Sequence, residues 1–223
     1  NLVESGSYSE AMVLYERLLK TEGLGEFDKA ECHLRRGITH MRLSRYGEAE
    51  NDFKRTMAIV KVATEGNATG NDLMAEAHFR RGEAYFQLNR NVALKLPLDR
   101  MKGDLAAKTR FFRQAQASFI DTLNVRNPYW ATAAGLQLGA LYEQFYLDIL
   151  KAEFPEDFNA DTREVYFLEL KKYLQPLLKQ SIAIYERSMT MSSRMGASNH
   201  WVKETESRLN KLRALIEENA RAI

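Results

Sequence analysis

The feature that most narrows what this chain can fold into is a pair of short motifs that recur in alternation. The first is a glycine followed three residues on by a ring: Arg36-Gly37-x-x-His40, Arg81-Gly82-x-x-Tyr85 and Leu138-Gly139-x-x-Tyr142. The second is a small residue followed four on by an aromatic. It occurs as Tyr8-x-x-Ala11-x-x-x-Tyr15, Tyr46-x-x-Ala49-x-x-x-Phe53 and Phe112-x-x-Ala115-x-x-x-Phe119, with a weaker copy at Ser181-x-x-x-Tyr185. Steps of three and four lie on one face of an α-helix. The small residue lets another helix approach, and the aromatic fills the space one turn away. Internal repetition of this kind is the signature of stacked supersecondary units.

The repeats are unevenly spaced. Ala11 to Ala49 is 38 residues, whereas Ala49 to Ala115 and Ala115 to Ser181 are each 66. The extra length falls in Glu65–Gly70, in an Asn91–Gly103 insertion broken by Pro97 and Gly103, and in the acidic Glu153–Asp161 stretch. The pattern predicts helices over 8–21, 29–43, 46–64, 72–89, 104–124, 128–151, 162–195 and 199–220. Expected starts are capping boxes at Asp28-x-x-Glu31 and Asp161-x-x-Glu164, and the pairs Asn71-Asp72 and Asn127-Pro128. Pro176 is expected to kink or break the seventh helix near Gln175. Trp201, Leu209, Leu212 and Ile216 form one apolar stripe of a last helix that caps the stack.

Composition agrees with a helical stack. Of 223 residues 45% are apolar, and the four prolines and twelve glycines are too few for a disordered chain. The 32 basic and 30 acidic side chains are mixed along the sequence, which suggests neither a nucleic-acid nor a membrane footprint. The lone Cys32 excludes an internal disulfide. No apolar run nears the roughly 20 residues that span a bilayer. The opening Asn1-Leu2-Val3-Glu4 reads as the end of a helix, so residues 1–223 are expected to be one domain and a fragment of a longer chain.

With these motifs the chain resembles the tetratricopeptide repeat family, an irregular bacterial-type member with insertions. Leu138-Gly139-Ala140-Leu141-Tyr142 is similar to the first half of that family's motif. Gly6-x-Tyr8-x-x-Ala11-x-x-x-Tyr15 is similar to the second. The resemblance implies an all-α fold: an α/α superhelix of about four helix pairs plus a C-terminal capping helix. It also implies a non-catalytic scaffold that holds a peptide or helix of a partner in a concave groove. Residues beside each motif glycine should face that groove: Leu34, Arg35, Ile38 and Met41, then Phe79, Arg80, Glu83 and Phe86, then Leu136, Ala140 and Glu143. Some family members clamp the C-terminal carboxylate of heat-shock chaperones. Arg80 matches the arginine of that clamp, but Glu76 stands where its lysine belongs and Arg35 where its asparagine belongs, so the clamp is incomplete.

Nothing in the sequence points to chemistry. His33 and His78 occupy equivalent places four residues before their glycines, which favours packing. Cys32, His33 and His40 lack the four close ligands of a structural zinc. No phosphate-binding glycine loop or nucleophile elbow is present. The expectation is no enzyme activity, no cofactor and no metal. The Arg90–Arg113 segment is the most distinctive local feature, with seven basic residues against two acidic ones and leucines around Pro97. It reads either as a packed outer loop or as a second contact surface whose residues 94–102 are dispensable for folding. The expected partner is a protein or peptide, with homo-oligomerisation allowed through the open N-terminal end. The extended fourth repeat is similar to those of envelope-associated members in motility or pilus assemblies, so the compartment is expected to be the bacterial envelope, periplasmic or lipid-anchored, or the cytoplasm. The competing expectations are a helical-repeat nucleic-acid binder and an accessory domain of an enzyme.

Overall fold

The computed structural model describes residues 7–155 and 159–221, with side chains to residue 218. The reading of Asn1-Leu2-Val3-Glu4 as a helix end, the Gly6 of the first motif and part of the 153–161 loop lie outside the described residues. Among the described residues there are eight helices and no strand. They are α1 (Tyr8–Leu18), α2 (Glu26–Arg42), α3 (Tyr46–Ala63), α4 (Asp72–Asn91), α5 (Leu98–Val125), α6 (Pro128–Leu150), α7 (Ala160–Arg194) and α8 (His200–Arg221). None is long and apolar enough to cross a membrane.

Each helix packs on its neighbour in the chain, and α2, α4, α6 and α8 also pack side by side in that order. The two motifs explain the pairing. A Cβ on Gly37 would lie 2.6 Å from Phe53, and one on Gly82 would lie 2.6 Å from Phe119. A Cβ on Gly139 would overlap the Tyr185 ring. Each motif glycine is therefore the seat of the aromatic from the following helix. Other contacts set the direction. Gly135 faces Ser188 and Gly139 faces Tyr185, so α6 and α7 run antiparallel. Gly82 over Phe119 and Asn89 against Lys108 make α4 and α5 antiparallel in the same way.

Asparagine starts four of the helices. Side chains of Asn71, Asn127, Asn159 and Asn199 accept bonds of 2.8–3.2 Å from backbone N–H groups one turn on. Such a cap contributes about 1 kcal/mol. Two expected capping boxes are corrected. α2 starts at Glu26 with Gly25 as its cap, so Asp28 sits inside the first turn. α7 is capped by Asn159, two residues before Asp161.

Pro176 does not break α7, which is continuous for 35 residues. Leu174 and Leu178 on either side are buried against α6 and α8, while Pro176 and Lys172 are exposed. Proline strips the Lys172 carbonyl of its helical donor on the face where water replaces it.

The insertion is also shorter than expected. α5 begins at Leu98, so Gly103 is helical and only 92–97 is a connector. The first turns of α5 run past the last residue of α4, and those of α7 before Leu174 run past α6. The connectors behind these overhangs meet: Glu153 N–H donates to the Leu94 carbonyl at 3.1 Å, and Leu96 N–H to the Glu153 carboxylate at 2.8 Å. Leu94 is buried and Leu98–Lys102 belongs to α5, so residues 94–102 are part packed connector and part helix.

Candidate functional site: the cleft between α2 and α4

The stripe expected to form a groove divides in two. Leu34 and Phe79 are 0% exposed and Leu136 is 4% exposed, so these three are core. Leu34 packs with Phe53 and Ala77. Phe79 stacks on Phe119 and Trp130, with Trp201 of α8 at 6.0 Å. Leu136 packs with Leu209 and Leu212 of α8. Ala140 is buried as well, Phe86 packs partly against the core, and Glu143 accepts bonds from Tyr185 and from Arg208 of α8, each at 3.2 Å. The third step of the expected groove is thus occupied by α8. Helical periodicity gives only the angle around an axis, and the same angle serves groove wall and helix–helix seam.

Four of the expected residues do meet at an open concavity. Ile38 and Met41 of α2 face Arg80 and Glu83 of α4 across a cleft of about 320 Å³. Arg42, Tyr46 and Gln87 complete it. The sequence reading missed Tyr46. Its only signal was its place as the first residue of the second motif, which here puts it at the start of α3 beside the cleft.

A charge ladder links α2 to α4 and reaches the cleft at Arg80 and Glu83. Arg35 binds Glu31 at 2.7 Å and Glu76 at 3.2 Å. Arg80 binds Glu76 at 3.0 Å and Glu83 at 2.9 Å, and its guanidinium lies 5.3 Å from the Trp130 ring centre. Glu76 is 3% exposed and joins α2 to α4. Burial opposes the charge on Arg80 and Arg35, but the facing carboxylates outweigh it and raise both pKa values. Burial pushes the Glu83 carboxyl up, against the pull of Arg80. Arg80, the one match to the carboxylate clamp, and Arg35, which stands in place of its asparagine, are therefore both bonded within the protein.

No family model matches the chain. No curated protein matches it either.

A second ladder lies behind the motif glycines. Arg36 donates to both oxygens of Asp52 at 2.9 and 2.6 Å, and His33 Nδ1 lies 3.0 Å from the same carboxylate. Burial alone would raise the Asp52 pKa; the bonds from His33 and Arg36 bring it below its ordinary value. One repeat on, Arg81 donates to Ser118 at 3.0 Å and Asp121 at 3.1 Å. This is the structural setting of the equivalent histidines His33 and His78. Among the described residues no group of three His, Cys, Asp or Glu side chains is placed to hold a metal.

Burial lowers the pKa of His40 in spite of Asp52, and that of His78 in spite of Asp121. The Nδ1 atoms of both rings are buried without a hydrogen-bond partner. A depressed histidine pKa means the fold favours the neutral ring. That stability is present above the unfolded value of 6.5 and is lost as pH falls below it. Urea midpoints are therefore expected to fall between about pH 7.5 and about pH 5.5, and His40→Gln with His78→Gln is expected to flatten the difference.

Proposed function

We propose that this chain is a non-catalytic helical-repeat module of tetratricopeptide type, stacked as a solenoid, that holds a segment of another protein in the α2–α4 cleft. The observation that carries the reading is that Ile38, Met41, Arg80 and Glu83, each beside a motif glycine, line one open concavity. Ile38 and Met41 supply an apolar wall, and Arg80 with Glu83 a polar one that orients a ligand backbone or side chain. Two further facts support it. The glycine–aromatic seat is built three times, and the helices that carry the glycines lie side by side. The bonded state of Arg35 and Arg80 leaves them little charge to offer a phosphate backbone, which disfavours the nucleic-acid alternative.

A photo-crosslinker placed at Gln87 tests this. Gln87 lines the cleft, and its amide donates to Asn91 at 3.1 Å one turn along α4. In native cell extract it is expected to capture protein that a crosslinker at exposed Lys203 does not. Met41→Glu is expected to abolish the adduct with little change in melting temperature. Equal labelling at Gln87 and Lys203, or labelling unaffected by Met41→Glu, overturns the proposal.

A further inference from the structure

The α2–α4 cleft is one of three concavities that adjoin. The second, of about 310 Å³, lies between the start of α3 and the facing sides of α4 and α5, and Tyr46 lines it too. Tyr85, Phe111 and Leu88 give it an apolar lining. The third, of about 520 Å³, follows α5 over Leu105, Ala106 and Thr109, and shares Arg110 and Gln114 with the second. Shared lining residues place the three in series, from Ile38 and Met41, by way of Tyr46, to the exposed face of α5.

The charges along this path are uneven. Its carboxylates are taken: Glu83 by Arg80, and Glu50 by Lys54 at 2.7 Å and by the Tyr85 hydroxyl. Of its cations, Arg80 is paired with Glu83, Arg81 with Asp121 and Lys102 with Asp99. The other three, Arg42, Arg110 and Arg113, form no ion pair among the described residues; Arg42 acts on Glu83 only through space, and Arg110 rests against the Phe111 ring at 5.0 Å. Leu105 is 41% exposed between them. An occupant must then carry negative charge and apolar side chains. It must also pass from one concavity to the next at Tyr46 and again at Arg110 and Gln114, a span that suits an extended chain.

We propose, resting on the interaction reading above, that the occupant is an extended acidic segment of a partner protein, held from the α2–α4 cleft to Arg113. Protein is favoured over nucleic acid because half of the wall is apolar, which suits apolar side chains and not a phosphate backbone. Free arginines at both ends fix the charge of the ligand, and the apolar stretch between them fixes its alternation.

The test uses fluorescein-labelled short peptides of alternating glutamate and leucine, a lysine-for-glutamate control, and an oligothymidylate, each titrated by anisotropy against the intact chain. The acidic peptide is expected to bind with a salt-sensitive Kd, and the lysine peptide to bind far more weakly. Arg110→Glu with Arg113→Glu is expected to weaken the acidic peptide about tenfold or more. Both residues are exposed, so circular dichroism is expected to show the fold intact. If reversal at Arg42 weakens binding but reversal at Arg110 and Arg113 does not, the path ends in the first cleft; the extension is overturned and the cleft reading stands. Equal binding of both peptides, no binding, or tighter binding of the oligonucleotide overturns the acidic-segment proposal.

Discussion

Replacing Lys108 with methionine is expected to cost about 3 kcal/mol or more of folding stability, the range for removing one partner of a buried ion pair. Lys108 is 0% exposed. Its ammonium donates to the carbonyl of Asn89 in the last turn of α4 at 2.8 Å and to that of Val92 just beyond it at 3.1 Å, and sits 2.6 Å from the Asp148 carboxylate on α6. The Asn89 side chain, itself buried, returns a bond to the Lys108 carbonyl at 2.7 Å. One side chain thus caps α4, locks α5 to it and ties both to α6. Methionine matches its bulk, so the loss is electrostatic. It strands one carboxylate and two carbonyls that water reaches poorly. Asp148 keeps some access to water, which places the cost near the low end of the range. Guanidinium titration measures it directly, and the melting temperature is expected to fall by about 6–12 °C in a domain of this size. Adding Asp148→Leu is expected to restore part of the loss, because the stranded charge goes with it. A Lys108→Met protein as stable as the parent would show that the ammonium is not the tie.

Lys108 also marks what the sequence could and could not reveal. In sequence it is one of seven cations in the Arg90–Arg113 segment, on a predicted helix with nothing to set it apart from the others. Its burial follows from the tertiary meeting of the end of α4 with α5 and α6, and no local period records that. Sequence separation also hid the meeting of the α4–α5 and α6–α7 connectors, since Leu94 and Glu153 lie in different repeats. The helices were legible because their signals are local: apolar spacing, the asparagine starts at Asn71 and Asn127, and the glycine–aromatic seats. Pro176 was misjudged for the opposite reason. Its rule is local, but packing of Leu174 and Leu178 carries the helix across it. The cleft was half legible. Ile38, Met41, Arg80 and Glu83 share a helical angle with Leu34, Phe79 and Leu136, and only the position of α8 and of the neighbouring helices decides which of them stay open.

The same substitution is expected to have opposite signs at two glycines. Gly139→Ala is expected to destabilise by about 1–3 kcal/mol, the range for overpacking a filled core. Its Cβ would overlap the ring of Tyr185, which is 0% exposed and cannot retreat. Tyr185 is further held by its bond to Glu143, and Ser181 donates to the Gly139 carbonyl at 2.8 Å, so the α6–α7 seam has no slack at this level. Gly103 is also helical, in the overhanging first turns of α5, but a Cβ there meets nothing within 4 Å. Gly103→Ala is therefore expected to stabilise by about 1 kcal/mol, the difference in helix propensity alone. Gly82→Ala repeats the first case against Phe119, and adding Phe119→Leu is expected to recover stability by making room for the methyl group. Thermal melts of the four variants check both signs. The contrast separates two uses of glycine that the sequence writes identically. If Gly139→Ala and Gly82→Ala were as harmless as Gly103→Ala, the repeated motif would not be a packing seat, and the internal repetition would lose its physical meaning.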